Sequence, residues 1–303
     1  MEKLDTRLIK NFEERNLSKH SLGWISDYRL TAINLVKEMG MPKLSDEDWR
    51  FTSLKDFSLK DFSPIFSSKS KFKKPSLPDY IDKIDGYFIY IHNGNLISGT
   101  EYPFIVEPLE ASFEFPEVKK VLLDDTLSKN KDFFYELGSA FIENGLYLKI
   151  DKSQKIDKPI IIINSFDSEL DNKFLNTRNI FFFGESSSAE IIEYSLSDSQ
   201  NEYFLNKTTT VKIESNSNVE HLLVEAGNKN SYIFSNLKII QSRDSNFTTN
   251  SILTGGLLIR NNVHPMLNGE GANSNILGLY LSTEEQLMDN YMFVEHLKAN
   301  CES

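Results

Sequence analysis

Leu4, Leu8 and Phe12 recur one helical turn apart. After a polar break, Ile25, Arg29, Ala32, Val36 and Met39 continue at the same spacing. Apolar positions three and four residues apart fall on one helix face, so two amphipathic helices are predicted. The second carries its own stop: Gly40 can take the left-handed closing conformation, and Pro42 cannot continue the hydrogen-bond ladder. "SDEDWRF" reads as a further helix start, with Ser45 as cap, Asp48 in the first turn and Trp49 as buried anchor. "SLKDFSLKDFS" writes a five-residue unit twice, a local duplication around Phe57 and Phe62. Pro64, Pro75 and Pro78, among many Ser and Lys, mark a connector ending near residue 80. "YFIYIHNGNLIS" then sets two apolar runs around Asn93-Gly94, a hairpin signal that makes His92 a turn residue.

A helix is expected at "KDFFYELGSAFIE", and from Gly145 the pattern changes. Short strand-like runs succeed one another, among them "LYLKI", "PIIII", "NIFFFG", "AEIIEYSL", "YFLNKTTTVKI", "VEHLLVEA", "YIFSNLKII" and "LIRNNVHPML". Polar clusters such as "SDSQN", "ESNSN" and "SRDSN" separate them, and no amphipathic helix intervenes as a parallel-sheet crossover. The back half is therefore all-β. Two architectures fit: an antiparallel sandwich or barrel, or a solenoid in which each strand turns a corner and stacks on the coil before it. Asn- and Ser-rich corners, which can bond along a stacking axis, favour the solenoid. The organisation predicted is a helical region over 1–64, a connector with hairpin and helix over 65–140, and a β core over 141–303.

A chain of 303 residues has ample core to fold by burial. Its net charge of −11 repels phosphate backbones and anionic lipid, so neither nucleic acid nor a membrane surface is expected as partner. A single cysteine, Cys301, excludes an internal disulfide framework, and without a leader or long apolar run a cytoplasmic location is expected. The basic cluster "KSKFKK" (Lys69 to Lys74) reads as a solvated linker rather than an anion site.

Candidate chemistry is sparse. "GGLLIR" and "NGEGANS" lack the P-loop lysine and its strand-turn-helix setting, and Cys-x-x-Cys, His-x-x-x-His and Gly-x-Ser-x-Gly do not occur. No catalytic residue and no tightly bound cofactor is predicted. His20, His92, His221, His264 and His296 are scattered, and His264 reads equally as a satisfied strand residue. His296 and Cys301 are the metal-ligand candidates: two soft donors able to contribute to an iron or zinc site shared with another chain, against the plainer reading of a strand-end histidine and a turn cysteine. A carbohydrate-cleaving β-helix, or an adhesin of that shape, is the alternative function. A carbohydrate enzyme needs several acids and bases on one face, whereas "SRDSN" supplies only Arg243 and Asp244 and the remaining acids are spread among breaks.

Three segments in order resemble the SufB/SufD family of the SUF iron-sulphur cluster assembly machinery, and within it the D component, SufD. They are "YRLTAINLVKEMGMPKLSDEDWRFTSLKDF" (Arg29, Ala32, Gly40, Pro42, Asp48, Trp49, Arg50, Phe51, Thr52), "ELGSAFIENGLYLKIDKSQKIDKPIII" (Gly145, Pro159), and the stretch from Ile259 to Ser303 (Arg260, Gly269, Gly271, Gly278, Tyr280, Gln286, Asp289, His296, Cys301). The resemblance implies a mainly β chain: a parallel β-helix after a small helical N-terminal region. It implies a non-catalytic scaffold acting with the SufB paralogue and the SufC ATPase, with a cluster held transiently on the full complex. It also implies that the C-terminal helical domain and the docking regions for both partners lie beyond Ser303. Cys301 is then an interior coil residue near an open end, and a homodimer through that β-helix edge is expected.

Overall fold

The two N-terminal helices form where the spacing places them, α1 (Leu4–Glu14) burying Leu4, Leu8 and Phe12, and α2 (Gly23–Met39) burying Ile25, Arg29, Ala32 and Val36. The computed structural model describes residues 2–66, 68–97, 100–125, 131–283 and 285–303. Gly40 closes α2 with a φ of 62°, its N–H bonded to the carbonyl of Val36. The helix expected after Ser45 is only a single 3₁₀ turn, Glu47–Trp49. The reason is local: the Ser45 hydroxyl donates to Asp46, whose carboxylate also takes the N–H of Lys43, so neither side chain caps a following turn. Trp49 is nevertheless buried.

The connector contributes β1 (Ser63–Ile65), α3 (Asp79–Asp82), β2 (Tyr87–His92), β3 (Asn95–Leu96), β4 (Ile105–Pro108), α4 (Pro116–Asp125) and α5 (Phe133–Ala140). The Asn93-Gly94 hairpin is present. His92 stands opposite Asn95, and both turn residues have positive φ, as a two-residue hairpin of this type requires. His92 flanks that turn, at the end of β2. It is buried, its ring bonded to Ser165 Oγ at 3.0 Å and Ser70 Oγ at 2.9 Å, because β2 also pairs in parallel with the first coil. Nor is the head of "KSKFKK" a free linker: the backbone N–H groups of Lys69 and Ser70 donate to the Glu169 carboxylate, while the Lys69 side chain stays exposed.

From Gly145 onward the strands are β5 (Leu146–Ile150), β6 (Ile160–Phe166), β7 (Lys173–Phe183), β8 (Ser188–Ser197), β9 (Phe204–Ile213), β10 (Asn218–Ala226), β11 (Tyr232–Gln241), β12 (Asn246–Leu253), β13 (Leu258–Leu267), β14 (Asn273–Tyr280), β15 (Leu287–Met292) and β16 (Glu295–His296). They alternate between two sheets. The first runs β15-β13-β11-β9-β7-β5-β4 and the second β14-β12-β10-β8-β6-β2-β3, with every coil-to-coil pairing parallel. This is a two-sheet parallel solenoid, and the sandwich alternative falls.

The corners explain the stacking. Ser153, Ser186, Asn216, Asp244, Gly271 and Asn300 recur with positive φ at equivalent corners, and the N–H of each of the first four bonds a carbonyl at the following corner. Short polar side chains and glycine are the residues that tolerate this left-handed geometry. Gly145 enters the first coil at φ 140°, where a Cβ would lie 1.7 Å from the Arg178 carbonyl oxygen.

Inside the coils two apolar cores are separated by a polar band. Phe181, Phe183, Ile191, Val211 and Val219 fill one, and Leu170, Leu175, Tyr203, Leu205 and Ile233 the other. Outside the first sheet, Phe174, Phe204, Tyr232 and Leu258 stack in register and are covered by α1, α2, α5 and the Trp49–Phe62 segment. Phe134 of α5 lies flat on Phe234, with centroids 3.7 Å apart.

Candidate functional site

Residues far apart in sequence meet where the N-terminal segment crosses β13 and β15. Arg260, 2% exposed, sits between two rings, its guanidinium carbon 4.0 Å from the Trp49 centroid and 4.8 Å from that of Tyr291. It is ion-paired with Asp289, and its Nε donates to Asn262 Oδ1 at 3.0 Å. The Thr52 hydroxyl donates to the same Asp289 carboxylate at 2.5 Å. A planar cation between aromatic faces, tied to a carboxylate, fastens the two regions by stacking and charge together. Arg29 performs the same task at α2, donating to the Leu17 and Ile142 carbonyls.

Beside this clamp lies a cleft of about 290 Å³, floored by Asn236, Lys238, Asn262 and His264 and walled by Trp49 and Asp132. Asn262 Nδ2 donates to Asn236 Oδ1 at 2.8 Å, and His264 Nε2 lies 3.1 Å from Glu295. Asp132 caps α5 by accepting the Tyr135 N–H at 2.9 Å. Burial pushes its carboxyl up to about 6, against the opposing pull of Arg260. Burial and the hydrogen bond to Asp48 push the Tyr291 phenol up to about 12.

The raised Asp132 carboxyl has a consequence for stability. A carboxyl whose folded pKa exceeds its unfolded value holds its proton more tightly when folded, so stability falls as pH rises from about 4 through 6. Asp132→Asn keeps a capping side chain without the charge. We expect it to match the wild type at pH 4 and to exceed it by about 1–2 kcal/mol at pH 8, read from thermal unfolding at both values.

A second constellation lies in the polar band inside the coils. Lys207 pairs with Glu225 and lies 3.7 Å from Glu193, and His221 Nε2 is 3.1 Å from Glu193 and Nδ1 2.9 Å from Thr249 Oγ1. All four charged or titratable groups are buried. Burial alone would raise the Glu193 carboxyl, but Lys207 and His221 outweigh it and hold it below the usual range. Burial likewise opposes the Lys207 charge, and the two glutamates more than restore it. Oxygens of Glu193, Glu225, Ser195 and Asn261 nonetheless lack hydrogen-bond partners among the described residues.

The two metal-ligand candidates are placed apart in role. His296, in β16, bonds Ser303 Oγ at 3.0 Å. Cys301 follows the left-handed corner residue Asn300, the place that Ser187, Ser217, Ser245 and Ala272 take in earlier coils. Its thiol lies 3.2 Å from the Gly269 carbonyl, as the Ser217 hydroxyl bonds that of Gly184. Among the described residues no group of three or more His, Cys, Asp or Glu is arranged to hold a metal. Sequence reasoning missed the lumen ion cluster, though Lys207, Glu193, Glu225 and His221 interrupt otherwise apolar or hydroxyl-rich strands.

Comparison with known proteins bears directly on these segments. The model of the SufBD protein N-terminal region matches residues 2–162, and that of the SUF system FeS cluster assembly SufBD core domain matches 165–303. The chain belongs to the SufBD family. It is 21% identical over 269 residues to the iron-sulfur cluster assembly protein SufD of Escherichia coli K12, covering 87% of this chain and 61% of that protein. It is 24% identical over 283 residues to the SufD of Plasmodium berghei, covering 90% of this chain and 20% of that one. The chain thus spans about three-fifths of the bacterial relative's length. The clamp joins the two SufBD segments: Trp49 and Thr52 belong to the first, Arg260 and Asp289 to the second. Among the described residues, no helix is long and apolar enough to cross a membrane.

Proposed function

We propose that this chain is a non-catalytic, cytoplasmic scaffold subunit in SUF iron-sulphur cluster assembly, acting with a SufB paralogue and the SufC ATPase. The observation carrying this reading is the pair of SufBD matches, which together run from residue 2 to 303 across the clamp. The cluster is then held transiently on the complex, and His296 and Cys301 of this chain contribute to it only as part of a site shared with another subunit.

The test is anaerobic co-expression with SufB and SufC of the tagged chain and of the chain extended by the part of the Escherichia coli SufD that it does not cover. The extended chain is expected to retain both proteins and the chain by itself neither, and the chain alone, reconstituted with iron and sulphide, is expected to show no cluster absorption. Failure of the extended chain to retain either protein, or a Cys301-dependent absorption band on the chain alone, overturns the reading.

A further inference from the structure

The outward side of the second sheet carries an apolar row in register across the coils: Tyr90, Ile163, Tyr194, Val224, Ile252 and Leu279. Its first half is covered by the chain itself. Phe72 packs on Tyr90 at 5.6 Å, Ile81 of α3 is buried against Ile161 and Ile163, and the Tyr80 hydroxyl reaches that of Tyr194. The segment that does this sets lysines about its first anchor, Phe72 between Lys71 and Lys73 with Lys74 over the Tyr90 ring, while Ile81 lies between Tyr80 and Asp82 and Lys83 is paired with Asp79. Past Tyr194 the cover ends. There the face opens into a groove of about 540 Å³, floored by Leu222 and Ile252 and flanked by Leu277 and Leu279, which are 53% and 51% exposed.

The charge around that groove is one-sided. Glu190 and Glu220, in register and exposed on β8 and β10, stand beside it, and no lysine or arginine lines it. A second copy docked face to face would bring these acids against their own kind, which is unfavourable. The covered half shows what the face accepts: aliphatic and aromatic anchors, with ammonium groups on either side of Phe72.

We propose that this groove is a docking site for a short amphipathic segment of another protein, carrying aliphatic side chains one turn apart and Lys or Arg on its flanks. It is separate from end-on pairing of coils, since Leu222 and Ile252 lie on strands paired on both sides.

The test uses a fluorescein-labelled synthetic helix with leucines at every third and fourth position and lysines between, and a twin with glutamates in place of lysines, against the full chain by polarisation. The lysine peptide is expected to bind, the glutamate twin not. Binding should weaken about tenfold with Leu222→Asp and with Glu190→Lys/Glu220→Lys, and stay unchanged with Asp46→Lys/Glu47→Lys at the opposite cleft. Circular dichroism checks that each variant is folded. Equal binding by all variants, or by both peptides, overturns the proposal. So does a concentration-dependent dimer abolished by Leu222→Asp, which would assign the groove to a second copy.

Discussion

Replacing Lys207 by methionine is expected to destabilise the protein by about 3–5 kcal/mol, the cost of leaving buried charges without their counter-ion. Lys207 stands between Glu225 and Glu193, all within the coils and almost fully removed from solvent. Methionine fills similar volume, so the loss reads the charge rather than a cavity. Urea unfolding measures it at pH 7. Glu193 is held below the ordinary carboxylate range in the wild type, so the stability it contributes is present above its unfolded pKa and lost as pH falls through the folded one. In the variant that lysine-dependent contribution is gone, and the Glu193 carboxylate gains by protonation. The gap between variant and wild type should therefore narrow toward pH 4. Adding Glu193→Gln and Glu225→Gln to the methionine variant should recover most of the loss, because no charge is then left unpaired. A cost under about 1 kcal/mol would mean that water reaches the lumen freely.

The second large effect concerns the clamp. Arg260→Ala removes a cation stacked between Trp49 and Tyr291 and strips Asp289 of its ion pair, and should cost about 2–3 kcal/mol. Asp289 keeps the Thr52 hydroxyl and some solvent, which places the figure below that for the lumen. Two readouts separate unclamping from general instability. Trp49 emission should shift to the red as its cover leaves, against a constant background from Trp24. Limited proteolysis should cut first between residues 41 and 60. Arg260→Lys restores charge without the planar fork and should recover less than half of the loss.

Much of the fold is legible in the sequence because its elements obey local rules. The spacing of Leu4, Leu8 and Phe12 sets α1, Gly40 ends α2 and Asn93-Gly94 turns the hairpin. Strand direction is not local. "VEHLLVEA" pairs in the same way with neighbours in either sense, and parallel stacking appears only when corner residues such as Asn216 and Asp244 bond to the next coil. Asn268-Gly269 illustrates the limit. It has hairpin chemistry, yet β13 and β14 belong to different sheets, and Gly269 serves a close approach in which a Cβ would lie 2.0 Å from the Arg243 nitrogen. The clamp was present in the sequence as separate motif residues. Their meeting was not, because Thr52 and Asp289 are 237 positions apart. The lumen charges are not legible in the sequence, because a lysine in a strand ordinarily faces solvent and only the register turns Lys207 inward.

The central claim is that the back half is a stack of parallel coils held in one register, which alone turns Lys207 toward Glu193 and Glu225. Cysteines placed at Glu190 and Glu220, exposed Cα partners on β8 and β10, in a Cys301→Ser background, test it most directly. The account predicts an intramolecular disulfide between them on mild oxidation, read by peptide mass mapping without reductant. No such disulfide, or an equal yield with the first cysteine moved from Glu190 to Ser197, would contradict it.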